Sequence, residues 1–157
     1  MTRGYLYEIT DNPDLYDMDR LTGVLDQDPA LLNEFSYGEE PDETEKAKAI
    51  KDLLAIFKDA GATITFHNNT QLAHMTFPDT FAKQYFSERY QQLQQEFAYL
   101  TLDDFAKNVA GIKELIDDET SDAVWFNSSF YNLDSFIRQI EPDKTYYLYP
   151  NVLSMCY

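Results

Sequence analysis

Aromatic side chains are the feature that most limits what this chain can fold into. It carries twelve Tyr, eleven Phe and one Trp, and 44% of its residues are hydrophobic. The same chain has 28 Asp and Glu against 12 Lys and Arg, a net charge of −16. An acidic excess of this kind is typical of disordered segments, but those contain few aromatic residues. Each buried ring removes a large apolar area from water. We therefore predict one globular domain over residues 1–157, with an aromatic core and an acidic surface.

The acidic charge is concentrated near the start of the sequence. Residues 1–45 hold thirteen acids against Arg3 and Arg20, a net of −11, whereas residues 46–157 have a net of −5. Such a field repels nucleic-acid phosphates and anionic membranes, and it attracts basic proteins. We therefore predict no direct binding to nucleic acid or membrane, and a basic protein as the partner. The alternative is that the charge serves only solubility.

Cysteine content and hydropathy indicate the compartment. A single cysteine, Cys156, excludes an intramolecular disulfide and a cysteine-based zinc cluster. The first residues show no apolar segment of the signal-peptide type, and no apolar run reaches the roughly 20 residues that span a bilayer. We expect a cytoplasmic protein that is not exported.

Apolar periodicity predicts the secondary structure. Alternation of side chains and, at residues 123–126, a short apolar run predict five strands, with Pro150 and Asn151 turning the chain between the last two. These strands are expected at residues 5–10, 62–67, 123–126, 145–149 and 152–157. The clearest helix begins after Asp42, with Glu45 as its capping-box partner, and ends at Gly61. Further helical segments are expected at residues 14–35, 79–100, 101–116 and 132–140.

This order of elements predicts an α+β or α/β fold. We expect a mixed sheet of four or five strands covered by four or five helices. The apolar side of each element supplies the predicted core. Its members are Phe57, Ile64, Phe66, Phe86, Leu93, Phe97, Trp125, Phe126, Phe136 and Leu148.

Acidic residues in the first third of the chain are the predicted partner-binding surface. The candidates are Asp11, Asp14, Asp17, Asp19, Glu39 and Glu40. The Asp14 segment does not match a calcium-binding EF-hand loop, which requires Gly at its sixth position and Glu at its twelfth. We expect no metal and no cofactor.

Polar residues that follow three predicted strands form an alternative ligand site. These residues are Asp11, His67, Asn68, Asn69, Asn127 and Ser128. If the three strands are parallel, their ends meet at one edge of the sheet, where α/β folds bind ligands. Asp11, His67 and Ser128 would then resemble an acid, base and nucleophile set. Turn formation and helix capping explain the same residues without a ligand.

Three functions are compatible with these observations. The first is a non-enzymatic interaction protein that binds a basic partner, in its extreme form as a mimic of nucleic acid. The second is a small ligand-binding or hydrolytic domain that uses the strand ends. The third is a structural accessory protein without a ligand, which dimerises through its Tyr-rich strands. The absence of the GxSxG, P-loop and GxGxxG motifs disfavours the second.

Overall fold

The computed structural model describes residues 3–13, 37–66, 72–116 and 121–156. Over these ranges the chain forms seven strands and five helices, which confirms the α+β class, and the predicted four or five strands are too few. The strands are β1 (Arg3–Thr10), β2 (Tyr37–Glu39), β3 (Thr63–Phe66), β4 (Ala73–Thr76), β5 (Ala123–Phe126), β6 (Ser129–Asn132) and β7 (Thr145–Cys156). The helices are α1 (Glu43–Asp59), α2 (Phe81–Tyr99), α3 (Leu102–Lys107), α4 (Ala110–Ile116) and α5 (Leu133–Arg138). The helix predicted at residues 14–35 lies outside the described residues.

All seven strands belong to one mixed sheet in the order β3-β4-β7-β1-β5-β6, and β2 pairs with the second half of β7. β1 is parallel to β5 and antiparallel to β7. β7 is antiparallel to β4 as well as to β2, and β3 is antiparallel to β4. It follows that β3 runs antiparallel to β1 and β5.

The last strand corrects the prediction that Pro150 and Asn151 turn the chain. β7 continues through both residues, and its register against β1 shifts between Tyr7 and Ile9. The shift is a bulge, a feature that accommodates a proline within a strand. The Asn151 Nδ2 amide donates to the buried Glu8 carboxylate at 3.1 Å, which ties the bulge to β1.

The caps of α1 confirm its predicted bounds. Asp42 is the N-cap, and its Oδ1 atom accepts from the Glu45 backbone N–H at 2.8 Å. Gly61 follows the C-cap residue Ala60 with φ of +102°, a left-handed conformation that glycine adopts without strain. The helix predicted over 101–116 is instead two helices, α3 and α4, that are interrupted at Asn108 and Val109.

An aromatic core fills one face of the sheet beneath α1, α5 and the start of α2. Phe57 makes edge contacts with Phe77 and Phe81 at ring distances of 5.6 and 5.7 Å, and Phe136 meets Tyr146 at 6.0 Å. Trp125 is buried in a separate cluster with Leu6, Leu153 and Met155. Because β1 and β5 alternate their side chains, this second cluster lies on the opposite face.

The predicted core is confirmed in part. Phe57, Trp125, Phe136 and Leu148 are buried, whereas Ile64, Phe86, Leu93 and Phe126 are only half-buried. Burial of Phe66 and Phe97 was wrongly predicted, since 60% and 54% of their surfaces are exposed. Phe66 is the last residue of the edge strand β3, and Phe97 lies in the second half of α2, where no residue is buried. None of the described helices has the length and apolar character that a membrane crossing requires.

Candidate functional site

Two of the predicted strand ends meet at one edge of the sheet. Asp11 follows β1 and Asn127 follows the parallel strand β5, and the Asn127 Nδ2 amide donates to Asp11 Oδ1 at 2.8 Å. The Thr10 hydroxyl donates to Asn127 Oδ1 at 2.9 Å. Lys144, which directly precedes β7, forms an ion pair with Asp11 Oδ2 at 2.7 Å. We call Thr10, Asp11, Asn127 and Lys144 the strand-end clasp.

Electrostatics of the clasp favour a structural role. The Lys144 ammonium lowers the pKa of the Asp11 carboxyl, and Asp11 raises the pKa of Lys144 in return. Both groups therefore stay charged near neutral pH. A general base or an amine nucleophile needs a pKa close to the working pH, so these shifts are opposite to those that catalysis requires.

Asn127 and Ser128 form the two-residue turn between β5 and β6. Their φ angles are +48° and +70°, as in the type I′ hairpin turn that matches the twist of paired strands. Asparagine tolerates this conformation better than most residues. Turn chemistry therefore accounts for both residues.

The third predicted strand, β3, does not end at the same edge of the sheet as β1 and β5. Because β3 runs antiparallel to β1, the chain leaves its end in the direction opposite to Asp11 and Asn127. The parallel arrangement needed for one joint site is thus present for β1 and β5 but not for β3. His67, Asn68 and Asn69 themselves lie outside the described residues.

The predicted acidic surface is also divided. Glu39 is level with Tyr5 across β7, near the start of β1, whereas Asp11 follows the end of β1. At about 3.3 Å per residue, roughly 20 Å of strand separates the two positions. Asp11 also forms an ion pair with Lys144. Asp14, Asp17 and Asp19 lie outside the described residues. Glu39 and Glu40 are therefore the members of this prediction that the structure places on an acidic surface.

Five carboxylates surround the junction between β2 and α1, and we call them the acidic rim. They are Glu39, Glu40, Asp42, Glu43 and Glu45. Arg3 donates to Glu45 at 2.5 Å and lies 3.7 Å from Glu39. Lys46 donates to Glu40 at 2.5 Å and to Glu43 at 3.2 Å. Two cations against five carboxylates leave the rim with an excess of three negative charges.

The lysine at the rim is held firmly in its charged form. Hydrogen bonds from Lys46 to Glu40 and then Glu43 raise its pKa, against the opposing effect of burial. Glu43 itself is 92% exposed, and Glu39 and Glu40 are about half exposed. The rim therefore presents carboxylate oxygens to solvent although Lys46 and Arg3 contact it.

An apolar groove of about 480 Å³ adjoins the acidic rim. Its lining comprises Glu43, Lys46, Ala47, Ile50, Lys51, Leu54, Phe66 and Pro150. The bulge of β7 contributes Pro150, and the last residue of β3 contributes the exposed Phe66 ring. Glu43 belongs to both the rim and the groove, so the two features form one continuous surface.

Sequence reasoning missed this groove for two reasons. Phe66 alternates like a core residue, but it ends a strand at the edge of the sheet. Pro150 was interpreted as a turn residue. Glu43 and Lys46 are three residues apart and therefore share one side of α1. This spacing was the sequence signal that could have indicated a charged margin beside the groove.

A second exposed apolar surface is formed by side chains of α2, α3 and α4. Phe81 is the only buried residue of α2, and none of the residues of α3 and α4 is buried. Large apolar side chains stand in solvent there instead: Tyr90, Phe97, Tyr99, Leu102, Phe105, Val109 and Ile116. We call residues 81–116 the helical arm.

The Tyr-rich strand is not an available edge. β7 has β1 on one side and β4 and β2 on the other, and Tyr146 and Tyr149 are buried. Pairing of β7 with a partner strand would require displacing these neighbours. Dimerisation through the Tyr-rich strand is therefore not supported.

Comparison with protein-family models, with curated proteins and with solved structures gives no match. Within the described ranges, no group of three or more His, Cys, Asp or Glu side chains is arranged to hold a metal ion.

Proposed function

We propose that this protein is a non-enzymatic interaction protein that binds a basic partner protein in the cytoplasm. The observation that carries the proposal is the continuity of the acidic rim with the apolar groove. Protein interfaces combine an apolar centre with a polar margin, and the groove with its rim has that composition. A net charge of −16 adds long-range attraction for a cationic partner.

The groove and the acidic rim determine how a partner segment is oriented. An apolar residue of that segment packs against Ile50, Leu54 and Phe66, and its Lys or Arg side chains face Glu39, Glu40 and Glu43. Lys51 lines the groove as well and repels a cation placed beside it. A mimic of nucleic acid is the narrower form of this proposal, in which duplex DNA competes for the same partner.

The strand-end clasp supports neither a hydrolytic nor a ligand-binding function. Asp11 and Lys144 neutralise each other, and their pKa values are displaced away from neutrality. A structural accessory protein without a ligand would leave the rim and groove without a partner, and the binding experiment below distinguishes that case.

The proposal is tested with a short peptide of about four Lys and Arg residues around one Phe, labelled for fluorescence anisotropy. We expect binding to weaken as salt rises from about 20 mM to about 300 mM, because salt screens exposed charges. The variant Glu39→Gln/Glu40→Gln/Glu43→Gln should weaken binding roughly ten-fold, whereas Lys51→Glu should strengthen it. A peptide with Glu in place of Lys and Arg should not bind.

The helical arm provides a control with the same change in net charge. Glu88→Gln/Glu96→Gln/Glu114→Gln also removes three exposed carboxylates but leaves the rim intact. Equal losses in both triple variants would mean that the peptide senses only total charge, and the rim would not be the site. A peptide that binds neither protein form at low salt would contradict the proposed function.

A further inference from the structure

The charges that line the apolar groove change sign along α1. Glu43 lies where the helix begins, and Lys51 lies eight residues, or about 12 Å, further along it. Ile50, Leu54 and Phe66 supply the apolar lining of the same groove. The groove therefore has carboxylates near the start of α1 and a cation about two turns further on.

The two lysines that line the groove differ in their partners. Lys46 contacts Glu40 and Glu43, and only 12% of its side chain is exposed. Lys51 is exposed and forms no ion pair with any residue that the structure describes. No Asp or Glu stands three or four residues from Lys51, the distances at which side chains of one helix meet. The charge of Lys51 is thus available to a molecule in the groove.

The size of the groove limits what can occupy it. Its volume of about 480 Å³ is within the range of roughly 300–1,000 Å³ that is typical of small-ligand sites. An extended chain covers about 12 Å in three to four residues. A few residues with one large apolar side chain therefore match both the volume and the distance between the charges.

We propose that the groove binds a short extended segment in which a Lys or Arg and a carboxylate flank one apolar residue. This inference rests on the proposed function and specifies the chemistry of the partner. The cation of the segment faces Glu40 and Glu43, and its carboxylate pairs with Lys51. That carboxylate is either the C-terminus of the partner or an Asp or Glu side chain, three to four residues from the cation.

The order of charges in the segment determines how well it fits. A segment that is basic throughout would place a cation beside Lys51, and like charges repel each other at that contact. A segment that is acidic throughout would place a carboxylate beside Glu40 and Glu43. Each mismatch disfavours one class of competitor, so the charge pattern selects the partner more narrowly than net charge does.

Three labelled peptides test the pairing by fluorescence anisotropy at about 20 mM salt. The first is Arg-Lys-Ser-Ser-Phe with a free C-terminal carboxylate, and the second is the same peptide with a C-terminal amide. The third adds Glu after the Phe and ends in an amide, so its carboxylate belongs to a side chain. Because exposed ion pairs contribute up to about 1 kcal/mol, a matching carboxylate should tighten binding about three- to five-fold relative to the second peptide. The tighter of the first and third peptides identifies the source of the carboxylate.

Substitution of Lys51 should change this preference without abolishing binding. Lys51→Met should remove the difference between the carboxylate and amide peptides, and Lys51→Glu should reverse it. Lys48→Met is the matched control, since it removes one exposed lysine of α1 that does not line the groove. This control should keep the wild-type preference. Far-ultraviolet circular dichroism should show that all three variants fold like the wild type.

Equal binding of all three peptides to the wild type would overturn the inference, as would a carboxylate preference that survives Lys51→Met. In either case the proposed function still stands if Glu39→Gln/Glu40→Gln/Glu43→Gln weakens binding of every peptide. Undiminished binding to that triple variant would contradict the proposed function itself. Failure of all three peptides to bind the wild type would contradict both.

Discussion

The body of the domain and the helical arm use the same residue types in opposite ways. Phe57 in the body is fully buried between Phe77 and Phe81, whereas Phe97 in the arm has 54% of its surface in water. In the body, the sheet, α1, α5 and the first turn of α2 enclose the aromatic rings. From Tyr90 to Ile116 the three helices of the arm leave their four rings exposed. Apolar periodicity therefore identifies the apolar side of a helix, but whether that side is buried depends on the elements that the fold places beside it.

Removal of an aromatic ring should give the largest difference in the free energy of unfolding between the body and the arm. Phe57→Ala removes a ring from a packed cluster and should lower the free energy of unfolding by about 3–5 kcal/mol. Phe97→Ala should lower it by less than about 1 kcal/mol, because the side chain has few contacts to lose. Urea denaturation of both variants at a low protein concentration measures the difference. Equal costs would mean that the arm is as well packed as the body.

The junction between body and arm should be the next most sensitive point. Asp134 is fully buried and accepts from both Tyr85 and Arg89. Asp134→Ala removes the buried carboxylate to which Arg89 donates and should cost about 3 kcal/mol. Replacing both residues, as Asp134→Leu/Arg89→Met, should recover much of that loss because both charges of the ion pair are removed together. A double variant as unstable as Asp134→Ala would indicate that the pair stabilises the junction in another way.

The strand-end clasp should give a smaller effect that depends on pH. The pKa of Asp11 is lower in the folded state than its ordinary value, so the folded protein binds fewer protons at this group than the unfolded chain. Its contribution is present above the ordinary pKa and is lost as the pH falls through the folded-state pKa. Asp11→Asn should therefore cost about 1 kcal/mol near neutral pH and little in strong acid.

Urea denaturation of wild type and Asp11→Asn between pH 2 and pH 7 checks this prediction. Lys144→Met is the matched variant on the other side of the pair, and its cost should follow the same pH profile. A cost of Asp11→Asn that does not change with pH would show that the Asn127 hydrogen bond, rather than the ion pair with Lys144, stabilises the clasp.

Local sequence signals predicted several of these features correctly. The Asp42 cap and Gly61 bound α1 because capping depends on neighbouring residues alone. Alternation at residues 5–10 and a short apolar run at residues 123–126 predicted β1 and β5, and their parallel pairing brings Asp11 beside Asn127. Their partner Lys144 was not predicted, since its position follows from the antiparallel placement of β7.

Features that depend on distant pairing were not predictable in this way. β2, β4 and β6 are only three or four residues long, and each is defined by the strand beside it. The position of Glu39 and Glu40 beside the groove follows from the pairing of β2 with β7. The groove itself requires the β7 bulge at Pro150, which sequence chemistry alone assigns to a turn.

Hydrogen–deuterium exchange of the full chain with the basic peptide tests most directly whether the acidic rim and groove form the binding surface. The measurement is made at low salt, where the charges of the rim are least screened. We predict slower exchange over residues 37–54 when the peptide binds, and unchanged exchange over residues 90–116. Protection confined to residues 90–116 would contradict this account, as would bound peptide with no protection near the groove.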